Sequence, residues 1–143
     1  MLLSGTLSTF DKQRIAYCHC QNGHNRVVVI VHGFYNSKDS VLLQELAKLL
    51  SDEYDIFLFD FRGHGKSSGA FSWTSKEGQD LHTVLNYLKD KYKKVAIIAF
   101  SLGGSVSINV VAERSDIHSL ICVSVPSDIE KVDLLLIYPL AWL

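Results

Sequence analysis

The feature that most constrains this chain is an unbroken run of β-branched residues, Val27-Val28-Val29-Ile30-Val31. A strand with one wet face alternates apolar and polar residues. A continuous apolar run suits a strand buried on both faces, as in a parallel sheet covered by helices on either side. Val95-Ala96-Ile97-Ile98-Ala99 repeats the pattern, and residues Tyr54 to Phe59 and Leu120 to Val125 read as further strands. Helical periods lie between them. Ser40 to Leu50 carries Leu42, Leu46, Leu49 and Leu50 at helical spacing. Leu81, Val84, Leu85 and Leu88 line a second helix, and Leu102 to Glu113 form a third. Thr74-Ser75-Lys76-Glu77 has the spacing of a capping box and predicts the start of the second helix, whose end gathers Lys89, Lys91, Lys93 and Lys94 to oppose the helix dipole. Ahead of all this, Gly5 to Phe10 and Arg14 to Cys20 read as two strands, with turns at Asp11-Lys12 and Asn22-Gly23. The order predicts an α/β fold with a largely parallel sheet flanked by helices.

Composition narrows the function. The chain has 143 residues, the length of one domain, with 48% hydrophobic and 20% charged residues. Fourteen Lys and Arg against fifteen Asp and Glu leave no charge excess that would select nucleic acid or an anionic membrane. Three cysteines are too few for a disulfide scaffold. Met1-Leu2-Leu3-Ser4 lacks the cationic start of a signal peptide. The longest apolar stretch, Leu134 to Leu143, contains Pro139 and is shorter than the ~20 residues of a membrane span. The expectation is a soluble protein of the reducing cytoplasm.

Chemistry concentrates in three places. In Ile97-Ile98-Ala99-Phe100-Ser101-Leu102-Gly103-Gly104 a serine stands between a buried strand and a helix. So tight a turn strains the serine backbone and pushes the hydroxyl out of the sheet edge, with the helix N-terminus behind it favouring developing negative charge. Close packing of strand and helix demands small neighbours two residues before and after, here Ala99 and Gly103. The second place is His32-Gly33-Phe34, directly after the Val27 to Val31 run. The third is Asp60-Phe61-Arg62-Gly63-His64-Gly65-Lys66-Ser67-Ser68-Gly69, after the next strand. Gly65-Lys66-Ser67 imitates the end of a P-loop, but the required first glycine falls on Asp60, so nucleotide binding is not expected.

On these three motifs, in this order, the chain resembles the α/β-hydrolase family from about Leu3 to Val125. The family pattern Gly-x-Ser-x-Gly has Ala99 in its first glycine position here. The resemblance implies that Ser101 is the nucleophile and that the backbone N–H groups of Phe34 and Leu102 form the oxyanion hole. It implies the loop Asp60 to Gly69 is structural, and that the substrate is a small ester-like molecule cleaved through an acyl-enzyme. The loops most resemble those of small esterases, lysophospholipase-like lipases and serine-aminopeptidase relatives. No metal or cofactor is implied.

A serine nucleophile needs a base and an orienting acid, in the family order serine, acid, histidine. The only histidine after Ser101 is His118, placed before a strand and so at the wrong sheet edge. His32 and His64 lie at the right edge but do not match the family base position. Asp128 is the best candidate acid, with Glu130 and Asp133 nearby, although Ser127-Asp128 reads first as a helix cap. Fewer than about 20 residues follow Val125, short of the ~30 of another strand–helix–strand unit. The domain therefore reads as an incomplete hydrolase core over residues 1–143, truncated after about the sixth strand. Its apolar end calls for a partner chain, self-association or a collapsed tail to cover it. Against catalysis stands the alternative of a non-catalytic binding module that lacks the base. Cys18-His19-Cys20 reads as strand alternation rather than a metal site, Cys122 as inert core, and Phe71 and Trp73 as packing before substrate contact.

Overall fold

The computed structural model describes residues 1–126. The predicted Ser127 and Asp128 cap, the candidate acids Asp128, Glu130 and Asp133, and the apolar stretch Leu134 to Leu143 lie outside them. The elements are β1 (Leu2–Ser8), β2 (Arg14–Cys20), β3 (Arg26–Val31), α1 (Val41–Leu50), β4 (Asp55–Phe59), α2 (Glu77–Leu88), β5 (Lys94–Phe100), α3 (Leu102–Ala112) and β6 (Ser119–Val123). They build one six-stranded sheet in the order β1-β2-β4-β3-β5-β6. β3, β4, β5 and β6 run parallel, and β1 and β2 are antiparallel at one side. The predicted first strand starts three residues earlier than its apolar pattern suggests, because Leu2 pairs with Cys20 across β2. At Asn22-Gly23 the chain only bends, with Gly23 at φ 89°, in place of the expected tight turn, and no hairpin closes there because β4 lies between β2 and β3.

The Val27 to Val31 run behaves as its chemistry requires. Val27, Val29 and Val31 pack with Leu81, Val84, Leu85 and Leu88 of α2 and Val106 and Val110 of α3. Val28 and Ile30 point the other way, onto Leu43 and Ala47 of α1. Each such side chain removed from water contributes about 1.5–3 kcal/mol. α1 differs from its expected face: Leu42 and Leu49 are 65% and 78% exposed, while Leu43 and Ala47 are buried with Leu46 and Leu50 beside them. A leucine-rich helix offers two stripes, and the one through Ala47 wins because a small side chain lets the helix lie close to the sheet. Cys122 is exposed rather than core, because β6 is the outer strand of the described sheet and has only β5 beside it.

The second helix also starts differently. Thr74 does not cap it; Thr74 has φ 75°, and the Glu77 carboxylate reaches back to Ser72 instead. The expected capping box thus gives way to a longer clasp, because a left-handed Thr74 is not in the extended conformation a capping residue uses.

The loop after β4 is anchored by polar side chains. The Ser67 hydroxyl donates to the Asp60 carbonyl at 2.6 Å and accepts the Ala16 N–H, while the Ser68 hydroxyl accepts the Arg14 N–H. Asp60, fully buried, accepts the backbone N–H groups of Lys38 and Lys66. Gly65 has φ 50° and sits so close that an added Cβ would lie 2.3 Å from Asp60 Oδ2. Arg62, also buried, holds Asp80 of α2 at 2.7 Å and Asp11 of the β1–β2 turn at 2.8 Å. One guanidinium therefore ties three segments together. Its hydrogen bonds hold the Asp11 carboxyl down at about 2, against an ordinary 3.8.

A carboxyl whose folded pKa is depressed stabilises the fold above its unfolded pKa and loses that contribution as pH falls through the folded value. Asp11→Asn is therefore expected to lower stability near neutral pH. Its deficit against wild type should shrink between about pH 4 and pH 2, as measured by urea unfolding at stepped pH.

Candidate active site

The parallel strands β3, β4 and β5 deliver His32-Gly33-Phe34, the Asp60 to Gly69 loop and Ser101 to one edge, that of their C-terminal ends. This is where open α/β sheets build their sites. Ser101 joins β5 to α3 with φ 49° and ψ −123°, a conformation that costs a non-glycine residue of order 1–3 kcal/mol. It is exposed, its N–H donates to the Val123 carbonyl at 2.9 Å, and its carbonyl accepts from Gly104 N–H at the start of the helix.

The small neighbours have a visible reason. A Cβ on Gly103 would lie 2.3 Å from the His32 carbonyl oxygen, and Ala99 is fully buried. A Cβ on Gly33 would lie 3.1 Å from Ser101 Cβ and 3.7 Å from its Oγ, so the loop after β3 lies directly against the serine. Phe34 follows Gly33, and Leu102 opens α3. Among the described residues neither the Phe34 N–H nor the Leu102 N–H has a hydrogen-bond acceptor.

His32 is a framework group. It is fully buried, its Nδ1–H donates to the Gly33 carbonyl at 2.7 Å, and its Nε2 accepts the Phe61 N–H at 3.0 Å. Both nitrogens are thereby committed in the neutral tautomer, and burial pushes the imidazole down to about 4. The His64 ring lies 5.1 Å from the His32 ring, tilted at 54°, and bonds to the Arg62 carbonyl; among the described residues no histidine bonds to the Ser101 hydroxyl. His118 lies at the opposite edge, its N–H on the Val95 carbonyl, lining a cavity of about 480 Å³ with Arg26, Lys94 and Ser119. Among the described residues no three His, Cys, Asp or Glu side chains cluster as metal ligands. His19 turns inward, away from the half-buried Cys18 and Cys20.

The sequence pattern under-read one group. Phe34, Phe71 and Trp73 form a triangle of rings with centroids 4.7, 5.0 and 4.9 Å apart, joined by Tyr35 and His64. Tyr35 and Trp73 are 72% and 41% exposed, and both have positive φ. The signal lay in two rings flanking one serine, Phe71-Ser72-Trp73, but only the fold brings Phe34 to them.

Sheet order and crossover helices define the class, an α/β fold, here with a strained serine at a strand-to-helix turn. A family model described as the alpha/beta hydrolase fold matches residues 26–142, and the chain belongs to that family. It is 30% identical over 122 residues to an uncharacterized hydrolase, YugF, of Bacillus subtilis, covering 81% of this chain and 43% of that protein. A proline iminopeptidase of Xylella fastidiosa is 35% identical over 77 residues, covering 54% of this chain and 24% of that protein. Among solved structures, the Pyrococcus furiosus esterase Pf2001 superposes with a TM-score of 0.89 at 27% identity, over 100% of this chain and 59% of that one. The chain thus spans about half the length of these relatives, or less. Among the described residues no helix is long and apolar enough to cross a membrane.

Two consequences are measurable. Gly103→Ala should destabilise by about 1–3 kcal/mol because its methyl meets a backbone carbonyl. Gly78→Ala in α2, whose Cβ would meet only Val110 at 3.5 Å, should stabilise by about 1 kcal/mol; parallel urea titrations compare the two signs. For His32, the unfolded imidazole takes a proton near 6.5 and the folded one only near 4, so stability is lost as pH falls across that window, by about 3 kcal/mol. Nitrogen-15 NMR should find it neutral and Nδ1-protonated at pH 5.

Proposed function

We propose that this chain carries the nucleophilic half of a serine hydrolase acting on carboxylic ester-like bonds of small molecules. The observation that carries the reading is Ser101 itself, strained, exposed and seated at the start of α3 with Gly33 pressed against it. The Ser101 Oγ attacks the substrate carbonyl carbon while its proton passes to a general base drawn from outside the described residues. The carbonyl π pair moves onto oxygen, where the N–H groups of Phe34 and Leu102 receive it; losing one such donor typically costs 10²–10³ in rate. The C–O bond to the leaving alcohol then breaks, the alcohol takes a proton, and water releases the acid from the acyl-enzyme. The α3 N-terminus adds a fixed positive potential at the developing oxyanion. The likeness to the Pyrococcus esterase supports an ester as the bond cleaved.

Fluorophosphonate labelling tests the nucleophile. Wild type is expected to take one label at Ser101 and Ser101→Ala none, as read by intact mass. Equal absence of label in both would sink the catalytic reading and leave a binding module of the same fold.

A further inference from the structure

We infer that Phe34, Phe71 and Trp73 form the surface that selects the acyl group, favouring medium-length apolar acyl chains over acetyl, and that Glu77 is the positioning residue that holds this surface. Its location beside the reacting bond rests on the Ser101 reading above; its binding chemistry does not.

Location comes from the backbone. Gly33 lies against the Ser101 hydroxyl, and the next side chain, Phe34, begins the ring triangle. Three aromatic rings in mutual contact would ordinarily be core, yet Phe34 and Phe71 are only half-buried and Trp73 is exposed. The chain accepts backbone strain to keep them there: Trp73 and Thr74 are consecutive left-handed residues, at φ 54° and 75°. For a bulky ring and a β-branched residue this is a marked departure, and such outliers persist only where surrounding structure imposes them.

The imposing group is Glu77. It is fully buried and directs both carboxylate oxygens to Ser72, accepting the Ser72 N–H at 2.8 Å and the Ser72 hydroxyl at 2.8 Å. That hydroxyl in turn accepts the Lys76 N–H at 2.9 Å. Ser72 stands between Phe71 and Trp73, so the clasp fixes both rings at once. A capping-box carboxylate reaches back to the residue that flanks its helix; Glu77 reaches past that to Ser72, between the two rings, and so holds the ring-bearing loop as well as the helix start. The surface it holds offers ring faces and the His64 edge, and among the described residues no lysine or arginine lies over the triangle's rings. An apolar acyl chain gains by covering those rings, and an acetyl group is too short to do so.

The test uses the full chain carrying Ser101→Ala, which blocks turnover, titrated with methyl octanoate and methyl acetate by NMR. Octanoate is expected to bind at least about tenfold more tightly, with saturation transfer from the rings of Phe34, Phe71 and Trp73. Trp73→Ala and, separately, Phe71→Ala should each weaken octanoate by about five- to tenfold and leave acetate unchanged. Glu77→Gln should reduce the octanoate-to-acetate affinity ratio and shift the Phe71 and Trp73 ring resonances. A purely structural Glu77 would lower the thermal midpoint and leave that ratio alone. Equal affinities for the two esters, or a ratio untouched by both ring variants, overturn the inference. Wild-type fluorophosphonate labelling is scored separately: octanoate preference without labelling removes the nucleophile and keeps the surface, and labelling without preference does the reverse.

Discussion

The approach of α3 to the end of β3 governs this molecule. Where Gly103 meets the His32 carbonyl there is no room for even a methyl group. A helix that starts so close to its own sheet cannot be reached by a relaxed turn, so the residue between β5 and α3 takes φ 49° and its side chain is thrown outward. The same proximity presses Gly33 onto that residue. The strained serine, the open helix N-terminus and the close approach of the loop after β3 are thus consequences of one packing distance.

That distance is maintained from behind by buried polar groups. His32 spans from the Gly33 carbonyl to the Phe61 N–H and so locks the β3 loop to the β4 loop. Asp60 gathers backbone amides from Lys38 and Lys66, and Arg62 joins the loop to α2 and to the β1–β2 turn. Every one of these groups is desolvated, and a desolvated polar group left unpaired is costly. The loops at the sheet edge are therefore as constrained as the strands. His32 has no nitrogen left to take up a proton, since both are committed.

Much of this was legible in the residues. The β-branched runs announced a sheet covered on both faces, and β3 divides its valines between two helical layers as expected. The serine between Ala99 and Gly103 announced the elbow. The misses have physical causes. α1 carries more leucines than one face can use, and periodicity alone could not choose between the stripes. Cys122 sits in an apolar run, but exposure depends on strand order, and among the described residues β6 has only β5 beside it. Thr74-x-x-Glu77 matched a local cap, whereas the backbone at Trp73 and Thr74 turns left-handed and hands the carboxylate to Ser72.

The sequence by itself determined the layer architecture, the family and the position of the strained serine. Those depend on local periodicity and on residues adjacent along the chain. Only the tertiary structure decided which leucines α1 buries, that His32 is a neutral strut rather than a base, and that Phe34 joins Phe71 and Trp73. These depend on segments far apart in sequence that meet where β3 and β4 end side by side, a meeting set by the parallel register of the sheet and by the burial that register imposes.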